Sequence, residues 1–451
     1  MNVARPNSTL PGAAGQLASA TGFRSVAQSI TSKVVVLTLQ AGTGILTARE
    51  LRPWGRGELS AMILWPLLVA SVTTLGVPSS LIYFLRHRPE DRDRLIANGF
   101  SMSLTLGSAA AILTAAILPL CLREYSPSIV RAAQWFLITV PICSVTLAGR
   151  AVLEASYDFL ASNAIQILTP LTTLAGLLLV LDLHRFNPYT ASMAYIVASI
   201  PAVCLMTVRV RRVFSGRLKA QIAVIKQILG YGIRSYGIDV LGTLALYVDQ
   251  VLVIGLLKPG AMGAYAVVLS SSRMLNLFQA SVVMVLFPKA AGRPAREVVA
   301  ITGVAVRISS LATALCGIAV CAAGPSLLRI FYGSEYVEAA SALRILVVEV
   351  VLSGATYVLA QAFMALNAPG VITVLQAIGL SLSIPFMLLL IPRWGIYGAA
   401  VSLLASTIAR FIFVFVAYRF FLKTDPPSLI FNGRDLKRLW NGLIWQPERG
   451  N

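Results

Sequence analysis

Eight ionisable side chains interrupt otherwise apolar stretches: Lys33, Arg234, Asp239, Asp249, Arg273, Arg307, Glu349 and Arg410. Each sits inside a run long enough to cross a bilayer. A charge at that depth costs roughly 2.5–3.5 kcal/mol on insertion scales, so it must face a partner or a water-filled cavity. Arginine there suits phosphate, because a guanidinium offers paired donors to paired oxygens. Arg273, near the middle of its run, is the leading expected contact to an anionic substrate, followed by Lys33, Arg234, Arg410 and Arg49. Asp239, Asp249 and Glu349 are the expected ion- or proton-coupling groups. For each residue the alternative is an interhelical ion pair that touches no substrate.

Polar residues near these charges fall on helical faces. In the first run Ser25, Gln28, Ser29, Ser32, Gln40, Thr43 and Thr47 share one arc, with Lys33 at its edge. The seventh run carries a stripe of Ser235, Asp239, Gly242 and Asp249; the eighth places Tyr265, Ser272, Arg273, Asn276 and Gln279 on one face. Asn276 and Gln279 therefore join the expected substrate-binding set. Runs one, seven and eight are the expected cavity walls, unless their stripes serve helix packing through small polar residues.

The elements that position these residues are set by composition. The chain has 451 residues, of which 57% are hydrophobic and 12% charged. Soluble domains carry about 25% charged residues, so this chain cannot cover a water-facing surface. Twelve apolar runs of spanning length occur near 26–48, 59–85, 96–122, 129–150, 158–181, 190–208, 228–257, 261–288, 298–323, 338–365, 369–391 and 396–421. They are too long for strands, so the expected fold is an all-α polytopic membrane protein.

The net charge is +19. With the N-terminus inside, the loops on the inner side hold 14 Lys and Arg against nine on the outer side, which favours cytoplasmic termini. The boundaries follow: 1–22 a disordered cytoplasmic start, 23–208 an N-lobe of six helices, 209–226 a basic linker, 227–422 a C-lobe of six, and 423–451 a cytoplasmic tail. Within the tail, Leu436, Leu439, Trp440, Leu443 and Ile444 oppose Arg434, Lys437 and Arg438, a pattern that suits an interfacial helix over 434–445.

The two halves repeat. Arg52-Pro-Trp-Gly-Arg-Gly57 and Lys258-Pro-Gly-Ala-Met-Gly263 both read cation-Pro-x-x-x-Gly, 206 residues apart. Arg185 to Ala191 and Arg393 to Ala399 both read Arg-aromatic-x-x-Tyr-x-Ala, 208 residues apart. Six spans per half is even, so the halves enter from the same side. They are then related by a pseudo-two-fold axis along the membrane normal, with a ligand site expected between them near mid-membrane. The offset places Lys33 against Asp239, at one depth and with opposite charge. Both are expected to face the cavity and to approach each other when its cytoplasmic side closes.

The stretches T-A-R-E-L-R-P-W-G-R-G-E-L (47–59), Y-V-D-Q-V-L-V-I-G-L-L-K-P-G-A-M-G-A-Y (247–265), V-L-F-P-K (285–289) and I-P-R-W-G-I-Y-G-A-A (391–400) resemble motifs of bacterial polysaccharide and O-antigen flippases of the Wzx type. These belong to the multidrug/oligosaccharidyl-lipid/polysaccharide (MOP) superfamily. Arg52 stands where that family often has Gly, and Arg56 where it often has an aromatic residue. The resemblance implies two six-helix lobes around a central cavity. It also implies movement of an undecaprenyl-diphosphate-linked oligosaccharide to the outer leaflet of the bacterial inner membrane by alternating access. Expected partners are that lipid-linked substrate, the bilayer and proteins of polysaccharide assembly, with no nucleic acid.

Other classes fit less well. A cation/drug antiporter of the related multidrug and toxin extrusion (MATE) group would share the fold, but it wants acids in its cavity and the first run has none. The loop 86–94, R-H-R-P-E-D-R-D-R, lacks the glycines of the major-facilitator signature. No loop is large enough for a polysaccharide polymerase, and neither His87 nor His184 has a catalytic partner in sequence. No phosphate-binding G-x-x-x-x-G-K-S/T loop occurs, so coupling to an ion or proton gradient is expected, without ATP, cofactor or metal. Cys121, Cys143, Cys204, Cys316 and Cys321 read as small apolar residues.

Overall fold

A computed structural model describes residues 20–214, 216, 221–290 and 292–429; side chains are described from residue 31 onward, and not at 235, 238, 285 and 287–289. The interfacial helix expected at 434–445 and nearly all of the expected disordered start lie outside the described residues.

All regular structure among the described residues is helical. The N-lobe contains α1 (Ala20–Val72), α2 (Val77–His87), α3 (Arg92–Cys121), α4 (Pro127–Phe136), α5 (Thr139–Ala155), α6 (Phe159–Asp182), α7 (Pro188–Val197) and α8 (Ser199–Arg211). The C-lobe contains α9 (Ile222–Leu256), α10 (Pro259–Arg273), α11 (Asn276–Ala290), α12 (Ala295–Phe331), α13 (Ala340–Ala365), α14 (Gly370–Trp394) and α15 (Ile396–Phe421). Among the described residues, nine helical stretches are long and apolar enough to cross a membrane, or eleven when two bent pairs count as spans. Helix α1 is itself interrupted at Arg52 (φ 56°, ψ 179°), so it contributes two spans, in keeping with the twelve apolar runs.

Four spans are broken where the hydropathy runs read as continuous. Three breaks lie four residues before a proline: Thr74 before Pro78, Leu137 before Pro141, and Val197 before Pro201. Proline lacks the N–H that would bond that carbonyl. The fourth break, at Met274–Leu275, has no such proline and follows directly on Arg273. There the Gln279 amide closes the gap: oriented to accept from the Thr313 hydroxyl (2.8 Å), it donates to the Leu275 and Asn276 carbonyls at 2.9 and 3.2 Å.

The repeat loops gather at one end of the bundle, here called the motif end. The linker, the 86–94 loop and the start of the C-terminal segment gather at the other, the tail end. The main apolar core crosses the lobe boundary, joining Met62 and Trp65 to Val253, Tyr265 and Tyr336. At the tail end α9 leans on the N-lobe. Tyr231 stacks on Tyr83 at 4.3 Å, and the Ser80 hydroxyl donates to the Ile228 carbonyl at 2.9 Å.

Candidate functional site

The C-lobe holds a buried charge cluster built from four spans. Asp249 on α9 is wholly buried. It accepts a hydrogen bond from the Tyr265 hydroxyl (2.8 Å) and pairs with the Arg273 guanidinium (3.2 Å), both on α10. Glu349 on α13 accepts from the Thr407 hydroxyl at 2.8 Å; Arg410, one turn further along α15, donates to the same hydroxyl at 2.8 Å and lies 4.0 Å from the carboxylate. Glu349 is within electrostatic reach of Arg273 and Asp249 as well. Two acids and two arginines thus form one neutral group.

Neutrality makes the cluster affordable inside a membrane, because removing either partner would strand a buried charge. The cluster is not fully satisfied. Asp249 Oδ1 and Arg410 Nε are buried without hydrogen-bond partners. Arg273 is the most accessible member, with 27% of its side chain exposed against 0% for Asp249. An anion reaching this group would meet the free part of the Arg273 fork while Asp249 holds the other part.

A second feature lies at the motif end, where α1 and α10 make the most extensive helix pairing in the molecule. The contact is reciprocal. A Cβ on Gly57 would collide with the Pro259 carbonyl, and a Cβ on Gly263 would collide with the Pro53 carbonyl. The two copies of the Pro-x-x-x-Gly motif therefore pack against each other about the pseudo-two-fold axis, with backbone touching backbone. Among the described residues, the side-chain bonds that reinforce this seal come from one side. Arg49 donates to the Ile330 and Phe331 carbonyls at the end of α12, Tyr336 donates to the Ala48 carbonyl at 3.0 Å, and Arg52 pairs with Glu335 at 3.4 Å.

Residues 46–341 match the family model described as polysaccharide biosynthesis protein. The chain belongs to that family. The matched stretch contains the whole seal and the Asp249–Tyr265–Arg273 group, and stops short of Glu349, Thr407 and Arg410. No curated protein matches the chain. Among solved structures it resembles the lipid II flippase MurJ in an inward closed conformation, with 14% identity over 94% of this chain and 91% of that one, at a TM-score of 0.75. It also resembles an inward-facing multidrug resistance MATE family transporter of the MOP superfamily (14% identity, 88% of this chain and 98% of that chain, TM-score 0.68). A third likeness is a MOP superfamily transporter from Pyrococcus furiosus described as having a binding pocket of reverse polarity (15% identity, 89% of this chain and 95% of that chain, TM-score 0.61). At such identities the likeness carries the fold alone: a multi-pass, two-lobed helical architecture.

Of the residues expected from sequence, Arg273, Asp249, Glu349 and Arg410 come together in the cluster, and Asn276 sits at the break beside Arg273. Gln279 is buried and spent on the break itself. Arg49 is spent on the seal. Arg234 is exposed on the half of α9 nearer the tail end. Lys33 and Asp239 form no ion pair among the described residues; Lys33 is exposed, and Asp239 hydrogen-bonds Ser79 of α2. Arg307 donates to the Ser428 carbonyl at 2.8 Å. It borders an apolar groove between α12 and α13 that includes no member of the cluster. Thr407 joins the cluster without a charge to mark it in sequence, although its place three residues before Arg410 is the spacing at which helical neighbours meet.

Proposed function

We propose that this chain is a flippase for lipid-linked oligosaccharides, with an undecaprenyl-diphosphate repeat unit as its substrate and the bacterial inner membrane as its location. The observation that carries the reading is Arg273: a guanidinium deep in a span, beside a helix break, partly exposed and held by a fully buried acid. In this reading the motif end faces outward and both termini lie in the cytoplasm, in line with the excess of cations on the tail-end loops.

The cluster supports a coupling step. A diphosphate drawn to Arg273 competes with Asp249 for the same donors. Once displaced, a buried carboxylate without its counter-charge favours taking a proton or a cation. Entry of the anionic head group and uptake of a positive charge are then linked, without ATP. Alternating access requires that each ligand bind one state better than the other. The closed seal at the motif end suits a state that receives substrate from the tail end.

The test is genetic and chemical. A strain lacking the chain should accumulate a diphosphate-linked repeat unit on the inner leaflet. The wild-type chain should clear it, and an Arg273→Ala chain present at equal level should not. Normal polysaccharide export without the chain would overturn the reading.

The buried acids Asp249 and Glu349 are the observation that favours a second reading, a cation/drug antiporter. Each acid is already matched by an arginine, so an organic cation would meet a neutral group. Raised drug sensitivity in the deletion strain with no lipid-linked sugar accumulating would favour that reading.

A further inference from the structure

Three arginines belong to the seal motif, and their situations differ. Arg49 and Arg52 reach across the lobe boundary to named acceptors. Arg56 does not: its Nε and Nη1 are cut off from solvent and have no hydrogen-bond partner. It lies within electrostatic reach of Tyr336, whose hydroxyl is already donated to Ala48. Arg56 is only partly buried, but a guanidinium cannot lose its proton to ease burial, so two shielded donors without acceptors weigh against the closed seal.

The second half of the chain shows what this position needs for packing alone. The 206-residue offset maps Arg56 onto Met262, which is 1% exposed in the same seal. An unbranched apolar side chain therefore fills the place. The stem of Arg56 can do the same work, and its charged head adds nothing that packing asks for. Nε and Nη1 gain partners only if the seal opens, and best if an oxyanion is then at hand.

We propose that Arg56 is an exit-side anion subsite, which takes the charged part of the substrate as the motif end opens. The proposal rests on the flippase reading and adds a second station to it. Arg56 lies level with Met262, eleven residues before Arg273 on α10, so the two stations are separated by about 16 Å along the axis at 1.5 Å per residue. The ligand chemistry is a paired-oxygen anion, supplied by the diphosphate linkage or by a carboxylate on an acidic sugar. Because Nε and Nη1 are open to an anion only with the seal open, such an anion shifts the population toward the outward-open state.

The experiment uses the full chain in lipid nanodiscs, with spin labels at Glu50→Cys and Arg329→Cys, exposed positions on opposite sides of the seal, and the exposed Cys204 replaced by Ser. Inorganic pyrophosphate and glucuronate are the two probes. We expect one or both to lengthen the label distance, raising the open fraction about tenfold, and the stronger probe identifies the source of the anion. Arg56→Met, which installs the residue of the other repeat, should keep the chain folded, raise its thermal midpoint and abolish the anion response; Arg56→Lys should retain part of it. An unchanged response in Arg56→Met, or no response of the parent chain to either probe, overturns the proposal. The flippase reading stands or falls separately, on the lipid-linked sugar that accumulates in the deletion strain.

Discussion

The two lobes share a fold and differ in chemistry. At the 206-residue offset, Asp249, Tyr265, Arg273 and Glu349 of the C-lobe correspond to Thr43, Leu59, Leu67 and Cys143 of the N-lobe. Thr43 donates to the Gln40 carbonyl of its own helix at 2.8 Å, and Leu59 is buried in an apolar core. The same backbone positions thus hold a charge cluster in one half and ordinary packing in the other. The seal behaves oppositely, since its Pro and Gly residues are kept in both halves and interlock. The difference follows from cost. A backbone contact on the axis must be symmetric to fit, whereas each intramembrane charge carries an insertion penalty that one lobe can bear without the other.

The strongest challenge to this asymmetry is removal of Arg273. Arg273→Ala should lower flipping at least 100-fold. It should also destabilise the chain by about 3–5 kcal/mol, because Asp249 is left buried without its partner. The double variant Arg273→Ala/Asp249→Asn separates the two effects: thermal stability should largely return while flipping stays lost. The matched N-lobe variant Leu67→Ala, at a half-exposed position, should flip normally. Recovery of flipping in the double variant would mean that Arg273 serves only to neutralise Asp249.

Much of this contrast is legible in sequence, and the rest is hidden for physical reasons. Hydropathy locates the spans because bilayer thickness sets their length, and the Pro-x-x-x-Gly repeat locates the seal because only glycine lets two backbones touch there. Hydropathy cannot see a break inside an apolar run, so α10 and α11 read as one helix although Arg273 sits at their junction. It also cannot tell which polar residue is spent on structure. Gln279 shares a face with Arg273 and yet is consumed by Leu275, Asn276 and Thr313. Arg49 looks like a substrate contact until α12, nearly 300 residues away, brings its last carbonyls alongside. Partner choice across the lobes is a property of the packed molecule, and no local pattern encodes it.

The seal offers the complementary test, in which the lobes should respond alike. Gly57→Ala and Gly263→Ala each place a Cβ into the opposing proline carbonyl. Overpacking of this kind costs about 1–3 kcal/mol, enough to shift the closed population roughly 5- to 150-fold toward opening. The two variants should give the same label distances across the motif end and similar losses of transport. A large effect from one and none from the other would show that the seal is less symmetric than its geometry.

A smaller effect is expected where the seal is one-sided. Arg49 caps the end of α12, whereas its counterpart in the second half is Gly255, which can cap nothing. Arg49→Ala removes hydrogen bonds from a cation to carbonyls at the negative end of a helix. That should favour the open seal by about 1–2 kcal/mol, less than either glycine variant when measured by the same label distances. Arg49→Lys should recover part of the loss, because a single ammonium can reach one carbonyl and keeps the charge. An Arg49→Ala chain whose seal closes as tightly as the parent would assign the cap no part in closure.

The smallest effect belongs to Arg52 and Glu335, and it tests whether visible charge pairs matter here at all. Arg52 corresponds to Lys258 in the repeat, so both halves carry a cation at this point of the motif. Among the described residues only Arg52 has an acid opposite; the position matching Glu335 in the first half is Ile129. The pair is 3.4 Å long, but its side chains are 76% and 45% exposed. Exposed pairs are worth about 0–1 kcal/mol, and salt screens them. Arg52→Gln should therefore open the seal less than twofold at physiological salt and not measurably in about 0.5 M salt, where the Debye length falls well below 10 Å. Arg52→Glu should do more, by setting like charges face to face, and Arg52→Glu/Glu335→Arg should reverse that loss. The unusual φ of Arg52 adds a constraint of its own: Arg52→Gly removes the charge and eases the turn together. If Arg52→Gly closes the seal better than Arg52→Gln, the backbone turn matters more at this position than the ion pair.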